Sequence, residues 1–135
     1  MSKEDVMNVA VLDDEPDIVR YVTATVKSLG YGCEGYCEEL SLLNNLTPGI
    51  DLVLTDVGLP RIDGFRLAMR IAAILGSEPP RVLLMSADDH NDRLEAISPR
   101  LVIGLLPKPF TRADLEAVLG VLAEARSHCP GIIGD

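Results

Sequence analysis

Five short apolar runs alternate with segments of helical period along this chain, and this alternation limits its fold more than any other feature. Strands that are separated by helices pair in parallel, through crossover connections. The runs that include Leu52, Val82 and Leu101 are apolar at successive positions, which predicts burial on both faces of a sheet. We therefore expect an α/β fold, an open, doubly wound (βα)5 sandwich with one five-stranded parallel sheet and helices on both faces. The predicted strands are residues 8–12, 33–36, 52–55, 81–85 and 101–106.

The segments between the strands carry apolar residues at helical spacing and have recognisable ends. Pro16 suits the first turn of the first helix, and Gly30 suits its end. Thr111 and Asp114 resemble a capping box at the start of the last helix. The run at 33–36 contains Glu34 and is the weakest strand, which predicts an edge position. The predicted helices are residues 16–29, about 38–45, 64–75, about 89–97 and about 111–125.

The composition is typical of one folded domain. The 135 residues are 47% hydrophobic, which is enough to enclose a core and too apolar for a disordered chain. No apolar run is long enough to cross a bilayer, and the polar, acidic residues 1–7 do not resemble a signal peptide. We therefore predict a cytoplasmic protein with no membrane partner. Residues 1–126 are expected to form the domain and residues 127–135 a flexible tail, with no output domain.

Charge and cysteine content argue against other classes of protein. The chain has 12 Lys and Arg against 21 Asp and Glu, and its net charge of −9 argues against direct binding of nucleic acid, which needs a basic face. The three cysteines are an odd number in a chain predicted to be cytoplasmic, so we expect no disulfide framework. No Cys/His pair at a suitable spacing completes a metal site with Cys33 and Cys37.

Polar side chains follow four of the predicted strands, at the edge where sheets of this kind bind ligands. Three carboxylates within a few ångströms would repel one another by about a few kcal/mol per pair, and a hard dication removes that cost. Few protein ligands completed by water favour Mg²⁺. An Asp beside a metal, a Lys and a hydroxyl can act as a nucleophile toward phosphorus. The residues at the strand ends are Asp13, Asp14, Asp56, Ser86 and Lys108.

Four of these residues also have a plainer interpretation, and Ser86 by itself is an ordinary residue. Asp13 and Asp14 suit the start of a helix as capping acids. Asp56 suits a turn, and a lone Lys108 is most often a solvated charge. The occurrence of all of them at the ends of strands of one sheet favours the metal site over these interpretations.

Four motifs in this order resemble those of a response-regulator receiver domain of two-component signalling. They are D-D-E-P at 13–16, T-D-V-x-L-P-x-x-D-G at 55–64, M-S-A at 85–87 and K-P-F at 108–110. The resemblance covers roughly residues 9–122. It implies a flavodoxin-like strand order of 2-1-3-4-5 and a cis peptide bond between Lys108 and Pro109.

The resemblance also implies a role for each residue at the strand ends. Asp56 would accept a phosphoryl group. Asp13, Asp14, Asp56 and the backbone carbonyl of Gly58 would bind Mg²⁺. Lys108 would pair with the phosphoryl group, and Ser86 would hydrogen-bond to it. The donor would be a sensor histidine kinase or a phosphotransfer protein, and an unknown downstream protein would dock on the face made by helix four, strand five and helix five.

Leu105 departs from the family pattern, which often has Tyr or Phe three residues before the Lys. Without that aromatic side chain, we expect that the signal leaves by another route, such as movement of the loop from Ala87 to Asp89, or that the output is weak. The fifth strand is very apolar for an edge, so a partner, a second copy in a homodimer or the C-terminal tail is expected to cover it.

Two other classes of function remain open from the sequence. One is a binding module that keeps the fold and no longer uses phosphate; the acid cluster, Ser86 and Lys108 argue against it, and the leucine at 105 keeps it open. The other is a Mg²⁺-dependent phosphohydrolase with an aspartyl phosphate. Such enzymes typically carry a second Asp two residues after the nucleophile, where this chain has Gly58. We therefore predict no enzyme activity beyond the chain's own phosphorylation and dephosphorylation.

Overall fold

The computed structural model describes residues 6–76 and 79–127, with side chains as far as residue 125. Strands and helices alternate throughout these residues, as predicted. Of the predicted tail, residues 128–135 lie outside the described residues. The elements are β1 Asn8–Leu12, α1 Pro16–Ser28, β2 Gly32–Tyr36, α2 Glu39–Asn44, β3 Leu52–Asp56, α3 Gly64–Leu75, β4 Arg81–Ser86, α4 Asn91–Ala96, β5 Val102–Pro107 and α5 Arg112–Ser127.

The strands form one parallel sheet in the order β2-β1-β3-β4-β5, which confirms the predicted fold and strand order. The register aligns Leu12 with Thr55, Asp56 with Met85, and Ser86 with Pro107. Because the strands are parallel, their carboxyl ends lie along one edge of the sheet.

Successive residues of the central strands enter two separate cores, which is why those strands are apolar at every position. Leu52 and Leu54 pack on the side of α1 and α5, with Val22, Val26, Leu115 and Leu119. Val53 packs on the other side, with Leu42 of α2 and with Phe65, Ala68 and Ile71 of α3. No helix of the described residues is long and apolar enough to cross a membrane.

The helix ends follow the sequence signals. Pro16 occupies the first turn of α1, and Gly30 beyond its end has a φ of 98°, a conformation that favours glycine. The Thr111 N–H donates to Asp114 Oδ2 at 2.8 Å, and the Asp114 N–H donates to Thr111 Oγ1 at 3.2 Å. This reciprocal pair is the predicted capping box of α5.

The edge strand β5 and the helix α4 are only partly buried. The middle of β5, including Ile103 and Leu105, is half-buried, and these two residues pack against the cores on opposite faces of the sheet. The helix α4 is shorter than the predicted 89–97: it begins only at Asn91, and it ends at Ala96 because Ile97 is extended, with a φ of −102° and a ψ of 148°. Its residues are exposed or half-buried, so α4 is the least embedded helix of the described chain.

Candidate functional site

The carboxyl ends of the strands bring the predicted residues together. Asp13 and Asp14 follow β1, and Asp56 is the last residue of β3. One carboxylate oxygen from each of these acids lies within 4.8 Å of the others. Ser86 ends β4, and Lys108 directly follows β5. The arrangement expected from the sequence is therefore present, while the chemical roles remain predictions.

Asp13 is fully buried and has a partner for each carboxylate oxygen. Its Oδ1 accepts the N–H of Glu15 at 3.0 Å, and its Oδ2 accepts from the ammonium group of Lys108 at 2.9 Å. Glu15 is the N-cap residue of α1, and no side chain caps that helix. Asp13 thus supports the chain just before α1, but neither it nor the exposed Asp14 is an N-cap acid.

Lys108 links three strands of the sheet. Its Nζ donates to Asp13 Oδ2 and also to Asp56 Oδ1, at 3.1 Å, and its backbone N–H donates to the Ser86 carbonyl at 2.8 Å. The peptide bond between Lys108 and Pro109 is cis, as the resemblance implies. Burial acts to lower the pKa of Lys108, but the hydrogen bonds and charges of Asp13 and Asp56 outweigh it, and the pKa is raised. Lys108 is therefore a fixed positive charge at neutral pH.

Ser86 is buried, and its hydroxyl group forms one hydrogen bond as an acceptor. The Ser86 Oγ accepts the backbone N–H of Asp88 at 3.0 Å. The hydroxyl proton is not used in that bond and remains able to donate. Ala87, between these residues, is exposed, and the Asp88 N–H connects the loop after β4 to Ser86.

Two glycines determine how closely the chain approaches Asp56. A Cβ on Gly58 would lie 3.9 Å from Asp56 Oδ2, in ordinary contact, so the position beside the carboxylate is open. A Cβ on Gly64 would lie 2.8 Å from the Asp56 carbonyl oxygen and 2.8 Å from Leu84 Cδ2. The first residue of α3 therefore packs directly on the end of β3, at a distance that only glycine permits.

A contact between α3 and α4 was not foreseen from the sequence. The Arg93 guanidinium lies 2.8 Å from Asp63 Oδ2 and 4.1 Å from the centre of the Phe65 ring, and the His90 ring meets Phe65 edge-on at 5.9 Å. Asp63 also caps α3, accepting the N–H of Arg66 at 2.8 Å. Burial acts to raise the pKa of Asp63, but the bonds to Arg66 and Arg93 and their charges together lower it. No motif indicated this contact, because residues 63 and 93 lie on different helices.

Comparison with known proteins decides the family. The sequence model of the response regulator receiver domain matches residues 9–120. The chain belongs to this family. Receiver domains are signalling modules of two-component systems, and this membership agrees with the resemblance carried by the four motifs.

Curated relatives carry the receiver domain within longer chains. The domain is 35% identical over 124 residues to the sensor histidine kinase RcsC of Salmonella typhi, an alignment that covers 91% of this chain and 13% of that protein. It is 34% identical over 119 residues to the positive alginate biosynthesis regulatory protein of Pseudomonas aeruginosa, covering 84% of this chain and 46% of that protein. The chain thus spans less than half the length of these relatives.

Solved structures share the fold. A response regulator receiver domain protein of Clostridium thermocellum superposes with a TM-score of 0.75 at 20% identity, covering 90% of this chain and 98% of that chain. The response regulator TrrA of Thermotoga maritima, in complex with Mg²⁺ and BeF, superposes with a TM-score of 0.71 at 22% identity, covering 87% of this chain and 99% of that chain. At these identities, the likeness supports the fold alone.

Proposed function

We propose that this receiver domain is a phosphorylation-controlled signalling switch in which Asp56 accepts the phosphoryl group. The observation that carries the proposal is the position of the Lys108 ammonium group, 2.9 Å from Asp13 Oδ2 and 3.1 Å from Asp56 Oδ1, within a cluster of three carboxylates. The donor is a phosphohistidine of a sensor histidine kinase or a phosphotransfer protein. Transfer from such a donor would take place in the cytoplasm.

The acid cluster fits a magnesium ion. Lys108 supplies one positive charge against three carboxylates, so an excess of negative charge remains at the strand ends. The donors are hard oxygens, and few of them come from the protein, which suits an ion that keeps several waters. Asp13, Asp14, Asp56 and the Gly58 carbonyl would hold it. When bound, Mg²⁺ would neutralise charge on the oxygens of the transferring phosphoryl group.

Asp56 and Lys108 have separate roles in the proposed phosphoryl transfer. Lys108 engages Asp56 Oδ1, so we assign Oδ2, on the open side next to Gly58, as the attacking oxygen. Attack forms the O–P bond of an aspartyl phosphate and breaks the N–P bond of the phosphohistidine, whose nitrogen retains the electron pair. The Lys108 ammonium then neutralises part of the new charge.

The switch would follow from a change in what Ser86 contacts. Its free hydroxyl proton can donate to a phosphoryl oxygen, while the oxygen is bonded to the backbone of Asp88 in the next loop. A movement of Ser86 therefore acts on that loop, starting at Ala87. Each new charge-assisted hydrogen bond contributes about 1.5–3 kcal/mol, against the roughly 5 kcal/mol that a near-complete shift between two states requires. A downstream protein would detect the change on the face of α4, β5 and α5, which includes Leu105.

The decisive experiment is intact-protein mass spectrometry after incubation with acetyl phosphate, with and without Mg²⁺. We expect the wild type to gain one phosphoryl group only with Mg²⁺, and Asp56→Asn to gain none. Asp17→Asn, which changes an exposed acid of α1, is the matched control and should behave as the wild type. Labelling of Asp56→Asn at the wild-type rate would refute the assignment.

A second function is favoured by one observation, the half-buried leucine at 105. A receiver domain without an aromatic side chain there could bind its partner without using phosphate. If neither acetyl phosphate nor a phosphohistidine donor labels the protein although Mg²⁺ binds, this phosphate-independent module becomes the better assignment.

A further inference from the structure

The helices α2 and α3 border an open groove that the proposed phosphorylation chemistry does not use. Its volume is about 540 Å³. Its apolar lining includes Leu40, which is 54% exposed, together with Leu43 and Ile62. Three arginines also line it, at positions 61, 66 and 70. All three are exposed, and their guanidinium groups form no ion pair with any residue of the described chain.

The groove continues onto an unusual face of α3. Met69 and Ile74 are 49% and 53% exposed and lie three and four residues beyond the groove arginines at 66 and 70. Residues at these spacings lie on one stripe of a helix. The helix Gly64–Leu75 contains no acidic residue, although the chain has a net charge of −9. A face that combines exposed apolar side chains with unpaired arginines is typical of a binding surface rather than a solvated one.

The charges around the groove favour an acidic occupant. Two acids, Glu39 and Asp63, border it against three arginines, and the Asp63 carboxylate is also paired with Arg93. The net charge of the residues that line the groove is therefore positive. A bilayer with anionic lipids or a nucleic acid would also meet the acidic remainder of the domain, which repels an extended negative surface. A single protein segment can place acids on the arginines without approaching that remainder.

We propose that the α2–α3 groove is a docking site for an acidic amphipathic segment of a partner protein. Apolar side chains of the segment fill the groove along Leu40 and Ile62, and its carboxylates pair with Arg61, Arg66 and Arg70. The surface is separate from the α4, β5 and α5 face, so this partner binds in addition to any protein that detects phosphorylation. The inference does not depend on phosphoryl transfer to Asp56.

The test starts from a phage-displayed library of random peptides, selected on the wild-type protein and counter-selected on the variant Arg66→Glu/Arg70→Glu. We expect the enriched sequences to combine acidic and apolar residues. The consensus peptide, made synthetically, should shift the backbone amide signals of residues 39–43 and 61–74 in NMR spectra. Its affinity should fall by about tenfold or more in the double variant, since two favourable charge contacts become repulsive.

The matched control is Arg81→Glu/Arg100→Glu, which makes the same change of charge at exposed arginines that lie outside the groove and also form no ion pair within the described residues. It should leave the affinity within about twofold of the wild type, apart from the general effect of net charge. The proposal is overturned if no acidic sequence is enriched, if both double variants weaken binding equally, or if the shifted signals lie on another face. Binding of phosphatidylserine vesicles in preference to the peptide would also overturn it, in favour of a membrane surface.

Discussion

The ammonium group of Lys108 lies 2.9 Å from the fully buried carboxylate of Asp13. The two residues belong to the last and the first of the four sequence motifs. Because the Asp13 carboxylate is buried, it relies for hydrogen bonds on this partner and on the Glu15 N–H. Replacing Lys108 with Met should therefore lower the free energy of unfolding by about 2 kcal/mol or more in the absence of metal. Urea denaturation in EDTA measures this. Lys27→Met, at an exposed lysine of α1, should change stability by less than about 0.5 kcal/mol, and equal losses in the two variants would contradict the pairing.

Substitution of Asp14 should weaken magnesium binding but raise the stability of the metal-free protein. Its side chain is exposed, and its carboxylate lies close to those of Asp13 and Asp56. Asp14→Asn should weaken Mg²⁺ binding by at least the roughly tenfold that outer-shell changes cost a metal site. The same change should raise stability in EDTA by a few tenths of a kcal/mol, because it removes a like charge. Calorimetric titration with Mg²⁺ and urea denaturation measure the two quantities. Unchanged Mg²⁺ affinity would remove Asp14 from the ligand set.

Two glycine substitutions should have effects of opposite sign. Gly64→Ala places a Cβ 2.8 Å from the backbone of Asp56, so we expect a loss of about 1–3 kcal/mol and slower phosphorylation of the displaced Asp56. Gly120 lies in the exposed interior of α5 with open space around it, and Gly120→Ala should stabilise by about 0.5–1 kcal/mol. Thermal denaturation and acetyl phosphate labelling check both. A stable, normally labelled Gly64→Ala would mean that α3 can move away from β3.

The ion pair between Asp63 and Arg93 predicts a specific pH dependence. The pKa of Asp63 is lowered from its ordinary value of 3.8 by its bonds to the Arg66 N–H and Arg93. The pair therefore adds stability at pH values above that ordinary value, and the contribution is lost as the pH falls through the lowered pKa. Arg93→Gln should raise the pKa of Asp63, as followed by carbon NMR of its carboxyl group. Arg100→Gln should leave it unchanged, and the same titration in all three proteins would refute the pair.

The sequence predicted the sheet well because the relevant information is local. Unbroken apolar runs such as the one at Leu52 indicated burial on both faces, and Thr111 with Asp114 indicated the start of α5. The order of the strands is not contained in such patterns and came from the resemblance to a family. The five residues at the strand ends were predictable because parallel strands must end at the same edge.

Contacts between helices were not predictable in this way. Arg93 lies in a short helix with little apolar pattern, and its position over Phe65 depends on how α4 rests against α3. The arginines of the α2–α3 groove have ordinary spacing for the exposed face of a helix. That they form no ion pair within the described residues becomes visible only when the neighbouring helix is in place.

The strand order β2-β1-β3-β4-β5 has a consequence for the newly made chain. The ribosome releases β1 first, and the sheet can then grow outward from it in the order in which β3, β4 and β5 emerge. The acids arrive with the early strands, and the ammonium group of Lys108 arrives with the last one. An unfinished chain therefore carries Asp56 without the cation that pairs with it in the folded domain, so under the proposed function Asp56 would become a competent acceptor only after the final strand has docked.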